Sequence, residues 1–205
     1  MKLYLVRHGE SEYNAEELYQ PPTSKLSEKG VEQANFLAQR FQSIPVDVIF
    51  SSSLTRAKET AEIIAKVIQK EIVYEDLLAE IKRPSEVIGK SKKDPEVIEL
   101  FKQIDSHADD PNWHYSDEES FTDLKKRAQE LLLFIESRQE EHILCVTHGA
   151  MLRMIICVML HSDVSAEFYQ RFWNFFRTRN TGITVCDYED GEWHLVTWND
   201  HAHLG

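Results

Sequence analysis

The chain has 205 residues, a length typical of one domain that buries a sizeable core. Its formal net charge of -12 argues against a nucleic-acid or anionic-membrane partner, because such partners are bound by basic surfaces. No apolar run reaches the roughly 20 residues that a transmembrane helix needs.

The first predicted element is a buried strand over 3–6 that ends at Arg7, His8 and Gly9. Its apolar run lacks polar alternation, which is typical of a strand covered on both faces. Ligands of open α/β sheets bind at the carboxyl ends of strands. Arginine suits phosphate oxygens, histidine offers a nucleophilic ring nitrogen, and glycine lets the backbone approach an anion. The triplet therefore indicates a site for attack on phosphorus.

A polar loop over 12–25 is predicted next, followed by a helix over 28–42 with Ser27 as its N-cap. Asn14 lies in this loop and is a candidate phosphate contact through its side-chain amide. The alternative is that Asn14 holds its own loop through an Asx turn.

A second buried strand, over 46–50, runs into a helix over 54–68 that carries Arg56 in its first turn. A lone arginine at a helix start is usually a solvated charge. The buried strand before Arg56 and the apolar residues beside it favour an anion site instead. A short strand over 72–74 follows.

The apolar step 77–79 ends at the carboxylate of Glu80. A positioned acid that protonates a leaving alkoxide contributes roughly 10²–10⁴-fold to the rate. The alternative is a surface glutamate beside Lys82 and Arg83. Those two cations are candidates for contact with a second anionic group of a substrate, and solvated charges are the alternative.

The segment 81–118 is predicted to be an insertion that carries a helix over 94–104. The stretch 105–116 lacks helical or strand periodicity and is interpreted as a lid over the site. His107 and His114 in this stretch are alternative metal ligands together with the aspartates. That alternative is disfavoured because the arginines already supply the positive charge that the chemistry needs.

A strand over 143–147 repeats the strand-His-Gly plan with His148 and Gly149, and a helix over 150–160 opens at the glycine. The amide groups at such a helix start favour an anion. The carboxyl ends of three strands would then gather four side chains around one tetrahedral anion: Arg7, His8, Arg56 and His148.

The remaining predicted elements are a helix over 117–139, an aromatic helix over 165–176 and a hairpin with strands over 181–188 and 193–197. The aromatic helix is expected to pack in the core, and the alternative is a homodimer face. Asn180 is expected to support the site from behind.

Three cysteines, Cys145, Cys157 and Cys186, lie in apolar stretches without the spacing of a metal site. Buried free thiols in a reducing compartment are expected. The chain starts directly with a strand and shows no signal-peptide pattern, so the expected location is the cytoplasm.

Several ordered motifs together resemble one known family. They are Arg7-His8-Gly9-Glu10-Ser11 with Asn14, the residues 26–30, Ser51-Ser52-Ser53-Leu54-Thr55-Arg56-Ala57, Thr147-His148-Gly149 and Trp198-Asn199-Asp200. The set is similar to the histidine phosphatase superfamily, which includes the phosphoglycerate mutases and related acid phosphatases. Because the motifs keep their order from one end of the chain almost to the other, the resemblance is far more specific than a lone Arg-His-Gly.

The resemblance implies a three-layer α/β/α sandwich with a mostly parallel central sheet, phosphoglycerate mutase-like, in one domain over 1–205. It implies hydrolysis of a small phosphorylated metabolite through a phosphohistidine intermediate, with no metal and no cofactor. The implied catalytic residues are His8, Glu80 and His148. The implied phosphate contacts are Arg7, Asn14, Arg56 and Gly149, and the substrate contacts are Ser11, Lys82 and Arg83.

Two further expectations follow from this assignment. His148 is expected to be protonated and His8 unprotonated, so their surroundings should push the two pKa values apart. Glu119, Ser120 and Arg127 fall where the family carries a Glu-Ser pair and an arginine, and structural roles are expected for them.

Three other functions stay open. A phosphoglycerate mutase uses the same intermediate, but mutase-like members carry a tyrosine- and glycine-rich segment after the glutamate, and residues 81–89 lack it. A metallohydrolase built on the two histidines is disfavoured because Arg7 and Arg56 would repel a cation. A non-catalytic phosphate-binding module is disfavoured by the intact set of reactive side chains.

Overall fold

The computed structural model describes residues 1–110 and 112–205 of the chain. Pro111, within the predicted lid, lies outside the described residues. The strands are β1 (Lys2–Arg7), β2 (Val48–Ser51), β3 (Ile72–Tyr74), β4 (His142–Thr147), β5 (Ile183–Glu189) and β6 (Glu192–Asp200). They form a 6-stranded sheet in the order β3-β2-β4-β1-β5-β6.

The pairing of β1 with β4 sets up the site. The two strands are parallel neighbours, and Arg7 lies opposite Thr147. The residues that follow, His8 and His148, therefore leave the sheet at the same edge. β2 pairs with β4 and with β3 in parallel, and β5 and β6 add an antiparallel hairpin beside β1. This hairpin was predicted, and the sheet is mixed, with a parallel centre.

Helices cover both faces of the sheet. The helices are α1 (Glu12–Ala15), α2 (Glu28–Phe41), α3 (Thr55–Ile68), α4 (Pro95–Ser106), α5 (Phe121–Glu136), α6 (Gly149–Leu160) and α7 (Ala166–Phe175). In β1, Leu3 and Leu5 pack with α5 and α6, whereas Tyr4 and Val6 pack with α2 and α3. This alternation follows from the two-residue period of a strand. The predicted α/β/α sandwich is confirmed.

Some element boundaries differ from the prediction. The loop over 12–25 contains the short helix α1, because Ser11 accepts a hydrogen bond from the amide of Asn14 and caps it. Helix α5 begins only at Phe121, because Ser120 forms a capping box with Asp123. The predicted N-cap of α2 is confirmed, because the hydroxyl of Ser27 accepts a hydrogen bond from the amide of Gly30.

The predicted core packing of the aromatic helix is correct for Phe172, with Tyr169 and Phe176 packed against the core, and wrong for its other rings. In α7, Phe172 is the buried residue, whereas Phe175 is 82% exposed and Phe168 and Trp173 are 41% and 37% exposed. The helix lies over α6 at the margin of the core. One face of the helix therefore packs on the core, and its other aromatic rings are partly exposed.

The three cysteines are free and buried, as predicted. Among the helices of the described residues, none combines the length and the apolar character that crossing a bilayer requires.

Candidate active site

The rings of His8 and His148 lie together at the carboxyl edge of the sheet. Their centroids are 5.0 Å apart and their planes meet at 55°. Both side chains are buried, with exposures of 1% and 0%. The register of the two strands thus produces the pairing that the repeated strand-His-Gly pattern predicts.

The hydrogen bonds of His8 define its tautomer. Its Nδ1 lies 2.6 Å from the carbonyl oxygen of Gly9. Because a carbonyl only accepts, Nδ1 carries the proton and Nε2 keeps its lone pair. The Nε–H of Arg56 donates to this Nε2 over 3.3 Å. The ring therefore offers an unprotonated nitrogen beside a guanidinium group.

His148 is held differently. Its Nε2 lies 2.8 Å from the hydroxyl oxygen of Ser52, and the amide of Leu54 donates to the same oxygen over 3.2 Å. Its Nδ1 is buried and has no hydrogen-bond partner within residues 1–110 and 112–205. The sequence contained Ser52 inside a family motif but gave no reason to assign it a contact with His148.

Both histidines have pKa values well below the ordinary 6.5. Burial is the main cause for each ring, and the cationic Arg56 and Arg7 lower both values further. The expectation that His148 is protonated is therefore wrong for the protein alone, whereas the separation of the two pKa values stays a prediction. The physical reason is that both rings are buried beside the same two guanidinium groups.

Arg7 and Arg56 supply the positive charge of the site. Burial lowers the pKa of each guanidinium to about 10, and the carboxylate of Glu80 opposes that shift at both. The Nη1 of Arg7 donates to the carbonyl of Thr178 over 2.7 Å. Its buried Nε has no partner among the described residues. Both arginines remain cationic at neutral pH, and Arg7 keeps a donor for an anion.

Glu80 sits at the amino terminus of α6. Its Oε1 accepts from the amides of Ile81, Ala150 and Met151 at 3.1, 3.1 and 3.2 Å. Its Oε2 has the longer 3.3 Å contact with Ala150. The sequence predicted that these helix-start amides favour an anion, and the anion that they bind in the structure is the carboxylate of Glu80. Oε2 is the less constrained oxygen.

The segment before Glu80 is anchored from two sides. The hydroxyl of Thr147 donates to the carbonyl of Leu78 over 2.7 Å. The Nη1 of Arg127 donates to the carbonyls of residues 77 and 79 over 3.0 and 2.7 Å. Two further nitrogens of Arg127 donate to the carboxylate of Glu119 over 2.8 and 2.7 Å. These contacts are structural and act on the placement of Glu80.

Ser11 and Asn14 form the rim next to His8. Ser11 is fully buried, and its hydroxyl donates to Oε1 of Gln20 over 2.8 Å in addition to capping α1. The amide oxygen of Asn14 accepts from the side chain of Asn180 over 3.4 Å, and Asn180 also donates to the carbonyl of His8 over 2.9 Å. Asn180 thus ties the loop to the strand end from behind the ring.

Gly9 and Gly149 lie against different neighbours. A Cβ at Gly9 would lie 2.6 Å from the carbonyl oxygen of Gly30, so Gly9 lets α2 approach the strand end. Helix packing is thus one reason for a glycine at this position, and the approach of an anion to the backbone of Gly9 stays a prediction. A Cβ at Gly149 would meet Nε of Arg7 at 3.7 Å, an ordinary contact, which places Gly149 beside the guanidinium group.

The cationic side chains that follow Glu80 in the sequence have different partners in the structure. Lys82 forms an exposed ion pair with Asp117 over 3.1 Å, and the guanidinium of Arg83 lies 5.2 Å from the ring centre of Phe101. The charge of Lys92, farther along the chain, acts on the site, since it contributes to the lowered pKa of His8. Burial and the charge of Arg7 in turn lower the pKa of Lys92. The sequence showed Lys92 only as part of a lysine-rich run.

His107 and His114, the alternative metal ligands, have other partners in the structure. The ring of His107 stacks on Trp113 with centroids 4.3 Å apart. Nε2 of His114 lies 3.1 Å from the carboxylate of Asp123. Each histidine is therefore engaged with a different neighbour.

Comparisons with known proteins agree with this geometry. A Salmonella arizonae protein named "Probable phosphoglycerate mutase GpmB" is 31% identical, covering 100% of this chain and 95% of that one. The crystal structure of a phosphoserine phosphatase mutant from Entamoeba histolytica, in complex with phosphoserine, has a TM-score of 0.81 at 30% identity and covers 99% of this chain and 98% of that one. YhfR of Bacillus stearothermophilus has a TM-score of 0.81 at 29% identity, with 100% and 99% covered.

The family match spans nearly the whole chain. Residues 3–201 match the histidine phosphatase superfamily (branch 1). The matched range includes both His-Gly steps, Arg56 and Glu80. The family expected from the sequence motifs is confirmed, and the chain belongs to the histidine phosphatase superfamily, branch 1.

Proposed function

We propose that the protein hydrolyses phosphomonoesters through a phosphohistidine formed at Nε2 of His8. One observation carries this proposal. Nδ1 of His8 donates to its own neighbour's carbonyl, so the lone pair of Nε2 is directed toward Arg56. A nucleophile held unprotonated beside a cation is what attack on an anionic phosphoryl group requires.

The anion clamp consists of the groups around that nitrogen. The two arginines, the Nδ2 donors of Asn14, the backbone at Gly149 and Nδ1 of His148 hold the non-bridging oxygens. Phosphoryl transfer depends largely on positioning and on stabilising charge, and this set supplies both.

A neutral His148 is sufficient for this role. The hydroxyl of Ser52 can donate to Nε2, which leaves the proton on the partnerless Nδ1. That N–H then donates to a phosphate oxygen. The lowered pKa of His148 thus fits a neutral donor and removes the need for the protonated ring that the sequence suggested.

Glu80 is the proposed proton donor. In the first step the His8 nitrogen forms a bond to phosphorus, the ester P–O bond breaks, and Oε2 of Glu80 gives its proton to the departing alkoxide. In the second step a water oxygen bonds to phosphorus, its proton passes to Glu80, and the N–P bond breaks. The three amides on Oε1 hold the carboxyl group in place throughout.

The proposed substrate is a small phosphorylated molecule. The Entamoeba histolytica relative is described as a phosphoserine phosphatase bound to phosphoserine, so phosphoserine is one candidate. The Salmonella arizonae relative carries the name of a phosphoglycerate mutase, which supports mutase activity as the second candidate function. The segment after Glu80 favours the phosphatase, because it lacks the tyrosine- and glycine-rich character of mutases.

We place the reaction in the cytoplasm and without a metal. Three buried free thiols suit a reducing compartment. Arg7 and Arg56 supply the positive charge that a metal would otherwise bring, and they would repel a cation at the same place.

The test is a panel of phosphomonoesters, including phosphoserine and 3-phosphoglycerate, assayed for phosphate release and for isomerised product. The proposal predicts phosphate release that excess chelator leaves unchanged. Isomerised product without phosphate release would identify a mutase, and no turnover of any ester would contradict the proposal.

A further inference from the structure

A cavity of about 420 Å³ opens beside Glu80, a size that suits a small organic ligand. Ile81, the next residue in the chain, lines it, and so does Tyr169. The hydroxyl of Tyr169 donates to the carbonyl of Ala150 over 3.1 Å, and the amide of Ala150 donates to Glu80. The cavity therefore adjoins the proposed proton donor.

The walls of this cavity are aromatic. Tyr19 and Phe101 stack with ring centroids 5.0 Å apart and planes at 20°. Phe121 and Tyr169 pack at 5.9 Å, and Trp173 completes the wall. Tyr19, Phe101 and Phe121 come from separate segments of the chain, and Tyr169 and Trp173 share α7, so several parts of the fold hold the rings. We call this cavity the aromatic chamber.

The charges at the chamber are largely compensated. Arg83 lies over the ring of Phe101, and its charge acts on Asp105, another lining residue. Lys82 is paired with Asp117, and Glu119 with Arg127. The chamber thus lacks the surplus positive charge that a second phosphate or the carboxylate of phosphoserine would need, which ranks apolar esters above phosphoserine among the candidate substrates. Aromatic side chains supply much of its apolar wall.

We propose that the aromatic chamber takes the alcohol part of the substrate and selects phosphomonoesters whose alcohol has an aromatic or bulky apolar body. The inference rests on the proposed function, because the alcohol must leave at Glu80. A leaving oxygen at Oε2 directs the remainder of its alcohol away from His8 and toward Ile81 and Tyr169. Stacking and apolar burial against these rings then stabilise both the bound ester and its transition state.

The first measurement compares 2-phenylethyl phosphate with ethyl phosphate. Both esters release a primary alcohol, so the chemical step makes similar demands on Glu80. We expect kcat/KM to be at least about tenfold higher for the phenylethyl ester, since a filled apolar pocket discriminates by this order. A ratio near one would overturn the inference.

Two variants fill the chamber. Ala166 and Ala108 line it, and Ala166→Trp or Ala108→Trp should bring the ratio toward one, mainly by lowering kcat/KM for the phenylethyl ester. Asn174→Trp is the matched control, because Asn174 is exposed on the same helix as Ala166 and does not line the chamber. A ratio that survives in both filling variants would contradict the inference.

A binding measurement separates this inference from the proposed function. Calorimetry with 3-phenylpropylphosphonate and propylphosphonate, which are not hydrolysed, should show tighter binding of the phenyl compound by about tenfold. If no ester is turned over, the proposed function fails, and the phosphonate comparison still decides on the chamber. If esters are turned over and the two phosphonates bind equally, the chamber assignment fails and the proposed function stands.

Discussion

The two His-Gly steps of this protein begin alike and end differently. Each follows a parallel strand, and the strands are neighbours in register. After β1, the Nδ1 of His8 bonds to the carbonyl of Gly9 and Nε2 faces Arg56. After β4, Nε2 of His148 bonds to Ser52, and the following amides hold Glu80. The same sequence pattern thus places the proposed nucleophile after one strand, and the proposed phosphate donor with the amides that hold Glu80 after the other.

The two histidines differ in which ring nitrogen is hydrogen-bonded to the rest of the protein. Burial and the two guanidinium groups lower the pKa of both histidines, so charge does not distinguish them. The hydrogen-bond partner does, since a carbonyl fixes one tautomer of His8 and leaves Nε2 with a lone pair. The division of labour between the two steps is therefore set by local geometry.

Replacing the nucleophile should have the largest effect. His8→Ala is expected to lower kcat/KM for phosphomonoesters by roughly 10³-fold or more, because the variant lacks the nitrogen proposed to form the covalent intermediate. Steady-state phosphate release measures the loss, with His194→Ala, at an exposed histidine, as the control. Near-normal turnover by the His8→Ala enzyme would show that His8 is not the nucleophile, so the proposed difference in role between the two His-Gly segments would fall.

Changing Glu80, the proposed acid held by the amides after His148, should lower activity less than changing His8. The size of the loss should depend on the leaving group. Glu80→Gln is expected to lower kcat for an alkyl phosphate by roughly 10²–10⁴-fold, since the alkoxide then leaves without a proton. The loss should be much smaller for p-nitrophenyl phosphate, whose phenolate leaves unaided. Equal losses for both esters would mean that Glu80 has a different role.

Removing Arg56, whose charge acts on both histidines, should also lower activity. Arg56→Ala is expected to lower kcat/KM by roughly 10²–10³-fold, because the transferring group loses one of its cations. Arg171→Ala, at an exposed arginine that pairs with Glu167 one helical turn away, is the control. An Arg56→Ala enzyme with unchanged kcat/KM would exclude Arg56 from the clamp.

The hydrogen bond between Ser52 and Nε2 of His148 can be removed without changing either histidine. Ser52→Ala is expected to lower kcat/KM by about tenfold and to change the acidic limb of its pH profile, because the tautomer of His148 is no longer fixed. Ser53→Ala, the neighbouring change, serves as the control. A uniform loss of activity at every pH would indicate a merely structural role for Ser52.

The two buried rings should also make stability depend on pH. Folding lowers the pKa of each histidine below 6.5, so the unfolded chain binds protons more readily in acid. Stability is then greatest above pH 6.5 and falls below it, by about 1 kcal/mol per ring for the first pH unit. Urea unfolding at about pH 7.5 and 5.5 should show this fall, and His148→Gln should reduce it. An unchanged slope in that variant would contradict the lowered pKa of His148.

The sequence predicted the sheet and the meeting of the histidines because both depend on local pattern and on parallel strand ends. It did not predict the bond from Ser52 to His148, because that tautomer depends on a contact between distant segments. Lys92 was missed because nothing in a lysine-rich run indicates which of its charges acts on Arg7 and His8.

Two further errors have physical causes. The aromatic composition of α7 suggested a core helix, but composition does not tell a central layer from a half-exposed one, and Phe175 lies in solvent. The helix start at Gly149 was expected to favour an anion, and the carboxylate of Glu80 binds there. Two expectations stay predictions. They are the insertion over 81–118 and the alternative use of the aromatic helix as a homodimer face.

The central claim is tested most directly by trapping the phosphorylated enzyme. Rapid acid-free quenching during turnover, followed by peptide mapping, should place the phosphoryl group on His8, with ³¹P NMR identifying attachment through Nε2. The His8→Ala enzyme should carry no phosphoryl group. Phosphorylation at His148, or turnover with no phosphorylated enzyme at any time, would contradict the account.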